Sequence, residues 1–112
     1  MKKNLNPKPR FCLALTTVSK KSEARNLAQS LIKKKLAACV SLLPIESSFY
    51  FWKDRVQAEK EILLLIKTKK SLVPSLKKWV LALHSYELPE FLVLSIQDGH
   101  PPYLQWILEN TL

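Results

Sequence analysis

Between Ala38 and Lys67 the chain carries two long β-like runs, Ala38–Trp52 and Gln57–Thr68, and this pair constrains the fold more than any other feature. A strand from Ala38 to Trp52 would extend on the order of 50 Å at about 3.3 Å per residue. A helix over Lys20–Lys35, the best available cover, would span about 24 Å. About half of the hairpin therefore has nothing in its own chain to lie against it. The uncovered part is apolar on both faces, Phe49 and Phe51 alternating with Tyr50 and Trp52. A lone two-stranded ribbon is marginal in water, so further copies of the chain are expected to bury this one. Pro44 points the same way, because proline is tolerated in a sheet mainly on an edge strand or at a bulge. The second strand is thus expected to bend there and to present a free edge for pairing between subunits.

The remaining elements follow from periodicity. Phe11–Val18 reads as a short buried strand. Ala24, Leu27, Ala28, Leu31 and Ile32 then recur on one face of a helix that Ser19 or Ser22 is placed to cap. Lys53, Asp54 and Arg55 form the turn between the long strands; Asp54 is among the few non-glycine types that tolerate left-handed geometry. Leu72, Val73, Leu76, Trp79, Val80 and Leu83 mark a second amphipathic helix, with Ser71 as the expected cap and Pro74 in its first turn. Phe91–Ile96 reads as a fourth strand, and Tyr103–Glu109 as a closing helix after the Asp98–Gly99–His100–Pro101–Pro102 turn. The order βαββαβα, pruned by the handedness of crossovers, predicts an α+β, ferredoxin-like sandwich with an extended hairpin and a C-terminal helix.

At 112 residues the chain makes one domain, predicted over residues 11–112 behind a flexible basic arm at residues 1–10. The arm's Lys2, Lys3, Lys8 and Arg10 surround two prolines without an apolar core or a small-x-small cleavage site, unlike a signal peptide. No apolar run approaches the roughly 20 residues that span a bilayer, so membrane insertion is not expected. Cys12 and Cys39 fall among apolar neighbours in predicted strands, as buried thiols do. Together these features predict a cytoplasmic protein. Eighteen Lys and Arg against nine Asp and Glu give a net charge of +9. The clusters lie at Lys33–Lys35, Lys67–Lys70 and Lys77–Lys78, where lysine complements a helix C-terminus or solvates a flank. Nucleic acid is not the expected partner. RNA-recognition domains share the βαββαβ order, but they stack bases on sheet aromatics, and Glu61–Ile66 has none. No Ser-His-Asp set, reactive-cysteine context or phosphate-cradling glycine loop is present, so catalysis is not expected.

Six stretches occur in the order and spacing of a known family: Leu36–Val40, Pro44, Tyr50–Trp52, Glu61 with Ile66–Thr68, His84–Glu90, and Tyr103–Ile107. Over residues 11 to 110 the chain resembles the CutA divalent-cation tolerance family. The resemblance implies a tight homotrimer, similar in architecture to PII signalling proteins, in which the hairpins of neighbours pair. It also implies tolerance of copper and other divalent metals, with copper binding attributed to family members. The chain departs from the family in His84–Ser85–Tyr86, where His-Pro-Tyr is usual, and in Trp52–Lys53–Asp54, where Trp-Glu-Gly is usual. Thr16 and Leu83 stand where some members carry cysteine and histidine.

The candidate site residues follow from donor chemistry. Copper prefers thiolate and imidazole in sets of three or four, and the chain offers Cys12, Cys39, His84 and His100 without a metal-binding spacing. His84 with Glu90 is the candidate metal pair, both flanking the loop before the fourth strand, with a third ligand to come from a subunit boundary. The competing role for His84 is to cap the helix that precedes it. Glu61 and Lys67 share a strand face and serve either an ion-pair network or a small charged metabolite. Tyr50, Trp52, Tyr86 and Trp106 supply interface area or line a ligand pocket between subunits. A PII-like adaptor that senses a small metabolite is the alternative to a metal-tolerance protein.

Overall fold

The computed structural model describes residues 10–112, so the basic arm, Arg10 apart, lies outside the described residues. Four strands, β1 (Phe11–Val18), β2 (Cys39–Trp52), β3 (Arg55–Lys69) and β4 (Leu92–Ser95), form one antiparallel sheet in the order β2-β3-β1-β4. Helices α1 (Lys21–Lys33) and α2 (Val73–Leu83) are the crossovers, and α3 (Pro101–Glu109) closes the chain. This is the split βαβ arrangement expected from the element order. The long dimension is 57 Å against 28 and 23 Å across, because β2 and β3 run far beyond α1, which at 13 residues spans only about 20 Å.

Alternation along the strands sets the layers. Ala14, Thr16 and Val18 of β1 and Leu64, Ile66 and Thr68 of β3 are fully buried on the helical side. They meet Ala24, Leu27 and Leu31 of α1 and Leu76 and Val80 of α2 in one core cluster. The two hydroxyls in this layer are satisfied: Thr68 Oγ1 donates to the Leu36 carbonyl and Thr16 Oγ1 to the Glu90 carbonyl, both at 2.7 Å. The opposite sheet face is apolar too. Leu15 pairs with both Leu65 and Leu92, Leu13 pairs with Leu94, and Leu43 pairs with Leu63. On this face Leu43, Leu92 and Leu94 stay 42, 54 and 51% exposed.

The hairpin closes through two residues rather than three: Trp52 pairs with Arg55, leaving Lys53 and Asp54 at φ 52° and 63°. Both central residues in the left-handed region mark the mirror-image turn whose twist matches the strands. β2 is an edge strand, as Pro44 required. The irregularity falls between Ile45 and Ser48, just past the proline, because Pro44 still has a cross-strand partner in Ile62. β4 is one residue shorter than expected at each end: Phe91 packs against the core cluster, and Ile96 keeps only its N–H bond to the Phe11 carbonyl at 3.0 Å.

The serine caps do not form. The residue before α1 is Lys20 and the one before α2 is Leu72, neither giving a side-chain cap bond. Ser22 already lies inside α1, and Ser71 is taken up in a 3₁₀ turn, Lys70–Leu72, that feeds directly into α2. α1 ends in a Schellman pair: Leu36 N–H donates to the Leu31 carbonyl and Lys35 N–H to the Ile32 carbonyl, each at 3.0 Å. Lys35 takes the left-handed position at φ 57°, where glycine is usual, in a chain with a single glycine.

Candidate functional site

The loop between α2 and β4 crosses the end of β1 and is tied to three elements. His84 follows α2 in an extended conformation. Its Nδ1 accepts the Tyr86 backbone N–H at 3.1 Å, and its Nε2 lies 2.9 Å from the Thr17 carbonyl. A carbonyl only accepts, so Nε2 carries the proton and the ring is neutral, with both nitrogens engaged. Ser85 binds Glu23 of α1 twice, its N–H to Oε2 at 3.0 Å and its hydroxyl to Oε1 at 2.9 Å. Tyr86 packs on the His84 ring at 4.8 Å and donates its hydroxyl to Glu61 of β3 at 2.6 Å. Partial burial, then the bond to Glu61 and the charges of Glu61 and Glu23, push the Tyr86 phenol well above its ordinary pKa.

Glu61 stands beyond the end of β1, opposite Ile45 on β2. Tyr50 is in electrostatic reach of it: slight desolvation, then Glu59 and Glu61, raise the Tyr50 pKa. Glu61, Tyr86 and Tyr50 therefore belong to one neighbourhood. Lys67 belongs to another, since six residues of strand separate it from Glu61 by about 20 Å. There Lys67 Nζ donates to the Tyr103 hydroxyl at 3.4 Å and sits 5.6 Å from its ring centre, while Tyr103 stacks on Trp106 at 5.5 Å. Trp52 lies at the hairpin turn, 36% exposed, beside Phe49 and Phe51 at 72 and 69%.

Glu90 takes part through its backbone carbonyl, which receives the Thr16 hydroxyl, and no contact joins its carboxylate to His84. Among the described residues no three His, Cys, Asp or Glu side chains stand together as a metal set. One subunit's residues thus do not fit a resident metal centre, and its imidazole is already committed at both nitrogens. Glu23, Ser85 and Tyr103 also shape these neighbourhoods and were missed from sequence. The i, i+3 spacing of Tyr103 and Trp106 was the available signal for one of them; nothing local links Glu23 to Ser85, 62 residues on.

A ferredoxin-like sandwich with a hairpin that outruns its helices, latched by a His-Ser-Tyr loop, defines a class of small α+β domains. Residues 12–110 match the family described as CutA1 divalent ion tolerance protein. The chain belongs to that family. It is 42% identical over 99 residues to the divalent-cation tolerance protein CutA of Thermus thermophilus, covering 88% of this chain and 96% of that one. It is 40% identical over 98 residues to mouse protein CutA, covering 88% of this chain but 55% of the mouse protein, so it spans about half that relative's length. The crystal structure of CutA1 from Oryza sativa superposes with a TM-score of 0.89 at 39% identity, covering 93% of this chain and 95% of that one. No helix among the described residues is long and apolar enough to cross a membrane. A rice relative is described as chloroplastic.

Proposed function

We propose that the chain is a non-catalytic, cytoplasmic homotrimer acting in divalent-cation tolerance, and that it meets copper or another divalent cation at subunit junctions. The observation that carries this reading is the uncovered sheet: Leu43, Leu92, Leu94 and the Phe49–Trp52 hairpin stay exposed on one chain. Association would bring the Tyr86–Glu61 pair, Tyr50 and Trp52 of one copy against the sheet of the next. His84 and Glu90 would supply donors to a cation there, completed by a neighbouring copy, with His84 released from the Thr17 carbonyl. A cation held in this way is cargo rather than a resident cofactor.

The PII-like alternative, a small charged metabolite, draws on a different observation. Lys67, Tyr103 and Trp106 form a cationic aromatic corner suited to a planar anion. Calorimetric titration of the purified protein with copper tests the metal reading. Saturable binding that weakens at least tenfold in His84→Ala is expected. No heat with copper, or an unchanged affinity in the variant, would return His84 to the role of a loop latch.

A further inference from the structure

Three sets of lysines that are distant in sequence, Lys33–Lys35, Lys70 and Lys77–Lys78, converge at one end of the helical layer. Lys34 of α1 lies 3.9 Å over the ring of Trp79, the residue that follows Lys78 in α2. Trp79 donates its indole N–H to Ser30 of α1 at 2.8 Å, fixing the two helices side by side at this level. The end of α1 is in turn bonded to Thr68 through the Leu36 carbonyl, which brings the end of β3, and Lys70 just beyond it, to this level; Lys69 alternates with Thr68 and faces the other side of the sheet. The Lys70 N–H reaches the Arg10 carbonyl at 2.7 Å, bringing one more cation to the same end.

No acidic side chain in these elements balances the charge, although Leu112 also lies here, its N–H donating to the Lys35 carbonyl at 3.0 Å. No Asp or Glu occurs between Ala24 and Ile45 or between Ile62 and Tyr86. Glu23, at the far end of α1, is engaged by Ser85, and α3 contributes Glu109, whose carboxylate accepts from Gln105 at 3.3 Å. Lys33, Lys34, Lys35, Lys70, Lys77 and Lys78 are all exposed. Beside them lies a shallow depression of about 400 Å³ lined by Asn26, Gln29, Ser30, Lys33 and Lys34, with amide, hydroxyl and ammonium groups and no carboxylate. Surfaces ordinarily intersperse both signs, and a one-sign patch of this density is a field for an anionic partner.

We propose that this end of the helical layer docks on the phosphate backbone of a nucleic-acid duplex without reading its bases. Two observations favour that polyanion. A membrane-docking helix needs an apolar face to insert, and the apolar face of α1, Ala24, Leu27 and Leu31, is buried at 0 to 3% exposure. Single strands are held by stacking on open aromatics, whereas the Trp79 ring is half-buried and covered by Lys34. What remains is ammonium groups facing outward, the chemistry of sequence-independent backbone contact.

The test is fluorescence anisotropy of a labelled duplex of mixed sequence with the full chain, from 50 to 200 mM salt. With about five lysines engaged, log affinity should fall against log salt with a slope of about −4.5. In Lys33→Gln/Lys77→Gln/Lys78→Gln the slope should shrink to about −1.8 and binding at low salt should weaken more than tenfold. Lys20→Gln/Lys21→Gln/Arg25→Gln removes the same charge from exposed positions at the far end of α1 and should keep most of the slope. The proposal is overturned if the wild type shows no salt-dependent binding, or if this far-end variant loses as much as the Lys33, Lys77 and Lys78 variant. It is equally overturned if phosphatidylserine vesicles, but not the duplex, retain the protein.

Discussion

Replacing Phe49 by aspartate probes the uncovered hairpin directly. Phe49 is 72% exposed on the single chain. An aromatic side chain carries about 200 Å², so about 140 Å² is available for burial, worth about 3.5 kcal/mol per subunit at about 25 cal/mol per Å². Three such side chains in a trimer contribute about 10 kcal/mol if fully covered and about 5 kcal/mol if half covered. Even the lower figure is between three and four decades in the association constant, since about 1.4 kcal/mol is tenfold. Aspartate adds the cost of desolvating a carboxylate in an apolar seam. Sedimentation velocity on the wild type should give about 39 kDa, three times the 12.9 kDa subunit. For Phe49→Asp the concentration at which that species dissociates should rise well over tenfold. The monomer's own core, centred on Leu31, Leu64, Ile66 and Leu76, does not include Phe49, so secondary structure should persist by circular dichroism. A variant that remains trimeric at the same submicromolar concentrations as the wild type would refute the inference that this ribbon is an association surface.

Two further outcomes follow from local geometry. Tyr86→Phe removes the 2.6 Å bond to Glu61 and should cost about 1 kcal/mol of stability in denaturant titration. Because the folded-state pKa of Tyr86 is raised, its stabilisation is fully present below the unfolded tyrosine value of about 10 and fades as pH rises through the folded value. Alkaline destabilisation should therefore be shallower in Tyr86→Phe, and an identical profile would mean that the phenol is not held neutral by the fold. Lys35→Gly relieves a left-handed non-glycine residue at φ 57° and should stabilise the chain by about 1 kcal/mol. Thermal melting that shows a loss instead would mean that the Lys35 side chain carries packing worth more than the strain.

Much of the architecture was legible because it is written in short periods. Leu27 and Leu31 announce a helix face, and the alternation around Leu64 and Ile66 announces a buried strand. Element boundaries were less legible where the chemistry is shared between elements. Ser71 looks like a cap, yet a 3₁₀ turn absorbs it, and Lys35 ends α1 in a conformation that no residue type there advertises. For the candidate site, Tyr86 and Glu61 were both picked out by kind, but their bond depends on where the loop after α2 lands.

The sequence by itself determined the strand and helix order, the overlong hairpin, the edge position of Pro44 and the family, all carried by residue types and their spacing along the chain. Only the tertiary structure decided that both nitrogens of His84 are spent on the backbone, that Glu61 and Lys67 serve separate neighbourhoods, and that three sets of lysines meet at one end of the helices. These outcomes depend on distances between segments. Such distances are set by crossover geometry and by how loops close over the sheet, and no local pattern of residue types encodes them.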